Sequence, residues 1–567
     1  MTSDSGTRIV QGREMKLDGF TPYPEDEARL YERNRWWLGI TLGDMLQRAA
    51  DFYPHKEALV EGDTRMTYGS LRRQVNQFAL GLIRHGVKKG DRVLLQLPNW
   101  YEFIVAYFAI HTMGGIVVLL NSRNTQFEID HLCQVTGAEA WIVPSRYRKI
   151  EYLPIIDEVK RKKPSMLNVI LVKREKGNDA SYPSFQDILN KGTLGPNNLE
   201  EPRRYRPGPC DVAQILPSGG TTGLSKAAPR THNDYISNVE GHARAWELNS
   251  QDICLIPTPV GHNLALLAGI TSTVFTFGKM VLLDSTLPEE FCKTIQKEKV
   301  TCATFVPALV GRLVSYERLK EYDLRSLVKI YAGGANSPPD LVRAAYEKLG
   351  CHYVNTFGMV EGPCSMTRLN DSFDIVCNTV GRPCCPYEEF RVVDANGNKL
   401  PPNTEGELAA KGPGIFTGYL KSEEENRKIF TFDGFLKTGD LALINEDGYI
   451  KITGRIKDII IRGGENISAR DVEDLISSYP AVEYVAVVGM PDPALGEKVC
   501  AYVKMPEGHH ASFETIIQYL KGKGASVLLL PERIEFVDEI PLTKAGKPDK
   551  KLLRADIQKK LEKERAI

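Results

Sequence analysis

Strand-length apolar runs alternate with segments of helical period through the first two thirds of this chain, and few folds accommodate that rhythm. Residues 92–97 read as a strand, 101–113 as a helix and 115–120 as the next strand. Residues 140–143, 168–172, 301–306 and 329–332 read as further short buried strands beside helical partners. The pattern predicts α/β layering with largely parallel strands. Residues 176–206, rich in Gly, Asn, Pro and charge, read as a surface connection between two subdomains. From Gly381 the texture changes to short alternating strands with turns such as Asp394-Ala395-Asn396-Gly397-Asn398, which predicts a small β-rich subdomain. Past Lys457 a compact α+β module is expected, with helices over 469–478 and 513–521 and strands over 482–488, 498–504 and 534–537. The charged tail, 550–565, reads as a solvated helix. At 567 residues the chain is long enough for two or three cooperative units.

Charge excludes some partners. Lys and Arg total 72 against 72 Asp and Glu, so no basic footprint points to nucleic acid or an anionic membrane, and anion binding must come from local sites. The eleven cysteines are scattered without C-x-x-C pairs, which suits a reducing cytosol better than a disulfide framework or a zinc site. Residues 1–15 lack the apolar core of a signal peptide. The longest apolar run, 264–283, is broken by Gly269, Thr271, Ser272, Thr273, Gly278 and Lys279, and reads as a buried helix followed by a strand. A cytoplasmic protein without integral membrane association is expected, and monomer and homodimer both stay open.

Directly after the strand-like residues 213–216 comes Ser218-Gly219-Gly220-Thr221-Thr222-Gly223-Leu224-Ser225-Lys226. Glycines let backbone N–H groups approach an anion, the hydroxyls add donors and Lys226 supplies a point charge, so the stretch reads as a polyphosphate cradle. Its spacing is not that of the P-loop. A plain Gly/Ser/Thr surface loop is the alternative. Four further motifs follow: Asn355-Thr356-Phe357-Gly358-Met359-Val360-Glu361, Leu436-Lys437-Thr438-Gly439-Asp440, Gly454-Arg455-Ile456-Lys457-Asp458 and Pro541-Leu542-Thr543-Lys544-Ala545-Gly546-Lys547. Together and in this order they resemble the adenylate-forming superfamily of acyl-CoA synthetases, aryl-acid AMP ligases and peptide-synthetase adenylation domains.

That resemblance implies an N-terminal adenylation domain over 1–456, which binds the acid and ATP, and a small mobile C-terminal domain over 457–567. It implies a carboxylate attacking the α-phosphate of ATP, where the main task is charge neutralisation by fixed donors and Mg²⁺. By the same resemblance Ser218, Gly219, Gly220, Thr221, Thr222, Gly223 and Lys226 hold phosphates, with Thr222 and Lys226 also acting in catalysis, and Glu361 ligates Mg²⁺. Gly333, Gly334 and Ala335, with Asn355, Thr356, Phe357, Gly358 and Met359, line the nucleotide site; Gly333, Phe357 and Gly358 also face the acyl group. Asp440 accepts from ribose hydroxyls, and Arg455 reaches the ribose or the phosphate. Lys547 touches both the carboxylate and the α-phosphate. Lys457 is the hinge, and Gly463, Gly464 and Glu465 line the pantetheine tunnel. Read without the resemblance, Glu361 is a helix first-turn acid, Asp440 an Asx-type turn residue, Gly463-Gly464 an ordinary turn and Lys547 a solvated charge.

The segment Pro259-Val260-Gly261-His262-Asn263 and the stretch Tyr23-Pro24-Glu25-Asp26 resemble the aryl-acid branch, with His262 and Asn263 at the acyl pocket. In hydroxybenzoate-activating relatives a serine farther along this helix binds ring hydroxyls; here Ala268 stands at that position, although residues 264–268 also read as plain helix core. An apolar pocket does not reward a hydroxyl, so an unhydroxylated ring acid, benzoate- or cyclohexanecarboxylate-like, is expected. With no carrier domain in the chain, free coenzyme A is the expected acceptor, as in a benzoate-CoA-ligase-like enzyme able to run in reverse. The alternative is an aryl-acid AMP ligase of dihydroxybenzoate or salicylate type that charges a carrier-protein phosphopantetheine. A luciferase-type oxidase and a non-catalytic nucleotide binder are the remaining rivals; intact Glu361, Asp440 and Lys547 argue against the latter.

Overall fold

The computed structural model describes residues 17–566 apart from 164, 167, 175–180, 194–200, 219–224, 336, 463–464, 524, 526 and 544–545. Gly219, Gly220, Thr221, Thr222, Gly223, Gly463 and Gly464 therefore lie outside the described residues. The chain divides into two compact units: Met1–Ser285 with Met359–Gly362 and Pro413–Asn426, and Thr286–Gly358 with Pro363–Gly412 and Arg427–Ile567.

The first unit carries the expected α/β layering. Its six-stranded sheet runs in the order Ala227–Thr231, Val212–Pro217, Ile116–Leu119, Arg92–Leu95, Ala140–Pro144, Asn168–Val172, parallel throughout except for the first pair. A second run of strands pairs Ile253–Ile256 with Lys279–Leu282 and then Glu57–Glu61 in parallel, closed by antiparallel Thr64–Thr67. Helix Tyr101–Thr112 is apolar nearly all round and packs against strands of both groups, which is why all its residues from Glu102 to His111 are buried.

Residues 176–206 are not simply a connection. They contain helix Phe185–Lys191, started by a Ser184/Asp187 capping box. Its Phe185 ring stacks on buried Phe78 at 4.3 Å, and Ile188 is fully buried. Surrounding polar residues hide this two-residue apolar anchor in the sequence.

In the second unit Cys302–Phe305, Lys329–Gly333 and His352–Gly358 are parallel neighbours, followed by antiparallel Cys364–Met366. The β-rich part is an antiparallel meander of Glu389–Val393, Gly406–Lys411, Leu436–Ile444 and Ile450–Arg455. The α+β module follows as expected, with Tyr484–Asp492 antiparallel to Gly496–Lys504 and helices Ala469–Ser477 and Phe513–Gly522 covering a Val/Ile core. It also contains a hairpin, Ile459–Arg462 with Glu465–Ser468. The tail helix Lys550–Ala566 is more than solvated: Leu553 and Ile557 are buried against Ala486, Val488 and Tyr502. With partly buried Leu561 they anchor one face of it.

Candidate active site

In the first unit the glycine-rich loop is the connection of a β-hairpin, since Val212–Pro217 returns antiparallel as Ala227–Thr231. Its neck is closed by Ser218 N donating to the Lys226 carbonyl at 2.8 Å and by Lys226 N donating to Ser218 Oγ at 3.2 Å. Lys226 Nζ sits 2.5 Å from Glu425 Oε1 and 5.0 Å from the centre of the Tyr419 ring. An ion pair as exposed as this one contributes at most about 1 kcal/mol, so a polyphosphate can take the ammonium from Glu425.

Glu361 lies in a turn, not in the first turn of a helix, which removes the helix-dipole reading of it. It is buried, and its Oε1 accepts from Tyr419 Oη at 2.5 Å while its carbonyl accepts from Phe416 N at 2.8 Å. Burial and the Glu361 charge hold the Tyr419 hydroxyl far above the ordinary tyrosine range, so it stays a donor. The two segments that carry Glu361 and Tyr419 are tied to the hairpin by one buried guanidinium. Arg230 donates to Val360 O at 2.8 Å and Gly414 O at 2.7 Å, and pairs with Asp234 and Asn238 at 2.6 Å each. At Gly362 φ is +126° and a Cβ would lie 2.2 Å from the Gly414 carbonyl oxygen, so only glycine lets these segments touch.

Neither Tyr419 nor Arg230 was singled out by motif. The carbonyl partners of Arg230 stand 130 and 184 residues away, beyond the reach of any local spacing.

His262 and Asn263 open a helix whose turns over Ala265–Thr271 are of π type, with Ala268 buried within it. The side chains of Thr271 and Ser272 hydrogen-bond the carbonyl of Leu267, at 3.0 and 2.8 Å, which supports the widened turns. Asn263 is oriented: its Oδ1 accepts from Tyr235 Oη at 2.9 Å. Upstream, buried Asn99 accepts from Val260 N and donates to the carbonyls of Ile256 and Thr258, fixing the chain that leads into Gly261.

In the second unit Thr438-Gly439-Asp440 is not a turn. It lies inside strand Leu436–Ile444, where Gly439 at φ +74° makes a bulge that shifts the register between Glu407 and Ala409. The bulge is braced by Gly439 N donating to Glu407 Oε1 at 3.0 Å and Thr438 Oγ1 to Leu408 O at 2.9 Å. Asp440 is 2% exposed; its Oδ1 accepts from Arg455 Nε at 2.7 Å and its Oδ2 is buried without a hydrogen-bond partner among the described residues. A buried acceptor left so is rare, and a ligand hydroxyl fits it.

Gly333 ends its strand, followed by Gly334 and exposed Ala335. Asn355 and Thr356 brace neighbouring backbone: Asn355 Nδ2 donates to Thr379 O at 2.9 Å and Thr356 Oγ1 to Ala332 O at 3.0 Å. Phe357 is half-buried against the meander, Gly358 is exposed with Cys364 Sγ beside it, and Met359 begins the Glu361 turn.

Lys547 closes a tight loop in which Thr543 N donates to Lys547 O at 2.6 Å and Lys547 N to Thr543 Oγ1 at 3.2 Å. Lys457 stands in the 3₁₀ turn Ile456–Asp458, its ammonium pushed down by burial and then by Arg455. Arg554 pairs with Asp458 at 2.8 Å beside it. Glu465 begins the second strand of the hairpin. Among the described residues no group of three or more His, Cys, Asp and Glu is arranged to hold a metal ion. A single carboxylate with phosphate oxygens and waters is the pattern Mg²⁺ accepts, and Glu361 fits it. No helix among the described residues is long and apolar enough to cross a membrane.

Two family models match the chain: "AMP-binding enzyme" over residues 46–420 and "AMP-binding enzyme C-terminal domain" over residues 471–547. The chain is 35% identical over 546 residues to the 2,3-dihydroxybenzoate-AMP ligase of Bacillus subtilis, covering 96% of this chain and 99% of that protein. It is 35% identical to a salicylyl-CoA synthase / salicylate adenylyltransferase of a Streptomyces species, covering 98% and 100%. It is 33% identical to the salicyl-AMP ligase / salicyl-S-ArCP synthetase of Mycobacterium tuberculosis, covering 95% and 94%.

Proposed function

Since this chain belongs to the AMP-binding enzyme family of adenylate-forming ligases, we propose that it activates an aryl acid with ATP and hands the acyl group to the phosphopantetheine thiol of a carrier protein. In the first step a carboxylate oxygen bonds to the α-phosphorus and the bond to pyrophosphate breaks. In the second the thiol sulfur bonds to the acyl carbon, AMP leaves and the thiol proton is released. The observation that carries this reading is the cluster of Ser218, Lys226, Glu361 and Tyr419 at the neck of the glycine-rich hairpin, where phosphate charge would be neutralised.

Lys226 would bind the β- and γ-phosphates, and Asp440 Oδ2 the ribose hydroxyls. Glu361 would hold a Mg²⁺ ion, which supplies further neutralisation of phosphate charge. Lys547 would sit between carboxylate and α-phosphate. Residues 457–567 would then turn about Lys457, bringing the hairpin with Gly463, Gly464 and Glu465 to the acyl phosphate for thiol entry.

The relatives shift the acceptor. Two of the three bear names of AMP ligases without mention of coenzyme A, and one of these names an ArCP thioester, so the carrier-borne thiol ranks above free coenzyme A. The salicylyl-CoA synthase keeps free coenzyme A as the second reading. For the acid, the relatives favour a hydroxybenzoate, while Ala268 gives a ring hydroxyl no second hydrogen-bonding partner. A pocket that makes no such bond cannot penalise its absence, so kcat/KM for benzoate is expected within about 100-fold of that for salicylate or 2,3-dihydroxybenzoate.

A panel of these acids with cyclohexanecarboxylate, each assayed with a phosphopantetheinylated aryl carrier protein and with free coenzyme A, tests acid and acceptor together. Faster thioester formation on the carrier than on coenzyme A is expected. Preference for coenzyme A reverses the acceptor, and discrimination against benzoate by about 10⁴ or more contradicts the reading of Ala268.

A further inference from the structure

Two residues that ligate phosphate or metal in the proposed reaction, Lys226 and Glu361, meet on one side chain that stands outside the five motifs. The Tyr419 hydroxyl donates to Glu361 Oε1 at 2.5 Å, and the Tyr419 ring lies 5.0 Å from Lys226 Nζ, whose backbone N in turn donates to Ser218 Oγ. Tyr419 is 8% exposed and Glu361 4%, so this bond is sheltered from water and strong for its type. The position of Tyr419 is itself fixed. Its backbone N donates to Asn426 Oδ1 at 2.8 Å, and Asn426 Nδ2 donates back to Tyr419 O at 2.9 Å. The ring of Phe416 packs edge-on against it at 5.0 Å.

We propose that Tyr419 is a positioning residue for adenylation: its hydroxyl fixes the Glu361 carboxylate in the rotamer that presents it to a divalent cation carried by ATP, and its ring steers Lys226 toward the same phosphates. The proposal rests on the adenylation reading above and adds to it the element that couples the glycine-rich hairpin to the metal-binding turn. A carboxylate free to rotate loses affinity for a cation because ordering it must then be repaid on binding. A hydroxyl that donates to one oxygen removes that cost. The lysine contact is a separate contribution, since a cation over an aromatic face is attracted whether or not the ring bears a hydroxyl.

The two contributions separate by substitution. Tyr419→Phe keeps the ring and removes the hydroxyl; Tyr419→Leu removes both. Binding of Mn²⁺ with ATP, followed by the electron paramagnetic resonance of free manganese and by calorimetry, reads the effect without turnover. Tyr419→Phe is expected to weaken Mn²⁺-dependent ATP binding about 10-fold, the worth of one hydrogen bond to a charged group. ATP binding in the absence of divalent cation, the KM for the aryl acid and the thermal midpoint are expected to stay near those of the unsubstituted protein. Tyr419→Leu is expected to weaken metal-free ATP binding as well. On a Glu361→Gln background Tyr419→Phe is expected to add less than about 2-fold, because the two changes remove one shared arrangement.

Equal weakening of ATP binding with and without Mn²⁺ in Tyr419→Phe, or a full 10-fold effect persisting on the Glu361→Gln background, overturns the proposal while leaving the adenylation reading intact. Absence of any Mn²⁺-dependent ATP binding by the unsubstituted protein overturns both.

Discussion

Lys547→Ala is expected to slow aryl-adenylate formation by about 10²- to 10³-fold, the loss seen when one fixed donor to transition-state charge is removed. Thioester formation from supplied aryl-AMP is expected to stay nearly unchanged. The asymmetry follows from charge. In the first half-reaction an anion attacks an anionic phosphate, and a cation touching both lowers the barrier directly. In the second a thiol attacks a carbonyl already activated by AMP, so no comparable charge has to be screened at that point. The backbone at Lys547 is held: Thr543 N donates to Lys547 O, Lys547 N donates to Thr543 Oγ1, and Leu542 pairs with Pro548. Because the side chain leaves from a loop held by its backbone, truncation at Cβ is expected to leave stability unaltered. Rapid-quench measurement of each half-reaction decides the matter, and equal losses in both contradict the role given to Lys547.

Asp440→Ala is the second large effect. Its Oδ2 is a buried acceptor with no hydrogen-bond partner among the described residues, and its Oδ1 holds Arg455. Two hydrogen bonds from ribose to a carboxylate are worth about 1.5–3 kcal/mol each, so loss of the group is expected to lower kcat/KM for ATP by at least about 100-fold. The KM for the aryl acid is expected to change little. Steady-state kinetics with each substrate varied in turn tests this. An unchanged ATP dependence would mean that the unsatisfied oxygen serves the fold and not a nucleotide.

The sequence made the parallel strands legible because they are buried on both faces and read as continuous apolar runs; those over 92–95, 168–172 and 329–333 differ from expectation by two residues or fewer. The Asp440 segment was legible in identity but not in shape. Thr-Gly-Asp has the composition of a turn, and only pairing with Gly406–Lys411 on one side and Ile450–Arg455 on the other makes it a strand with a bulge. Helix Phe185–Lys191 and the docked face of the tail helix were missed for the opposite reason. Their few apolar residues are diluted by charge, and what holds them is a partner surface elsewhere in the chain.

The same limit applies at the site. Lys226 stands in a stretch that local composition marks out, and Glu361, Asp440 and Lys547 stand in motifs that carry the family resemblance. Tyr419 stands 58 residues from Glu361, and Arg230 joins segments farther apart still. Such residues act through contacts that only folding creates, and no periodicity or spacing announces them.

In the proposed reaction this chain joins an aryl carboxylate to AMP before any thiol takes part. Exchange of labelled pyrophosphate into ATP measures that step alone. Exchange is expected to require an aryl acid, to proceed without carrier protein or coenzyme A, and to fall about 10²- to 10³-fold in Lys547→Ala. Exchange that is absent with every acid of the panel, or that runs equally fast without acid, would contradict the proposed reaction.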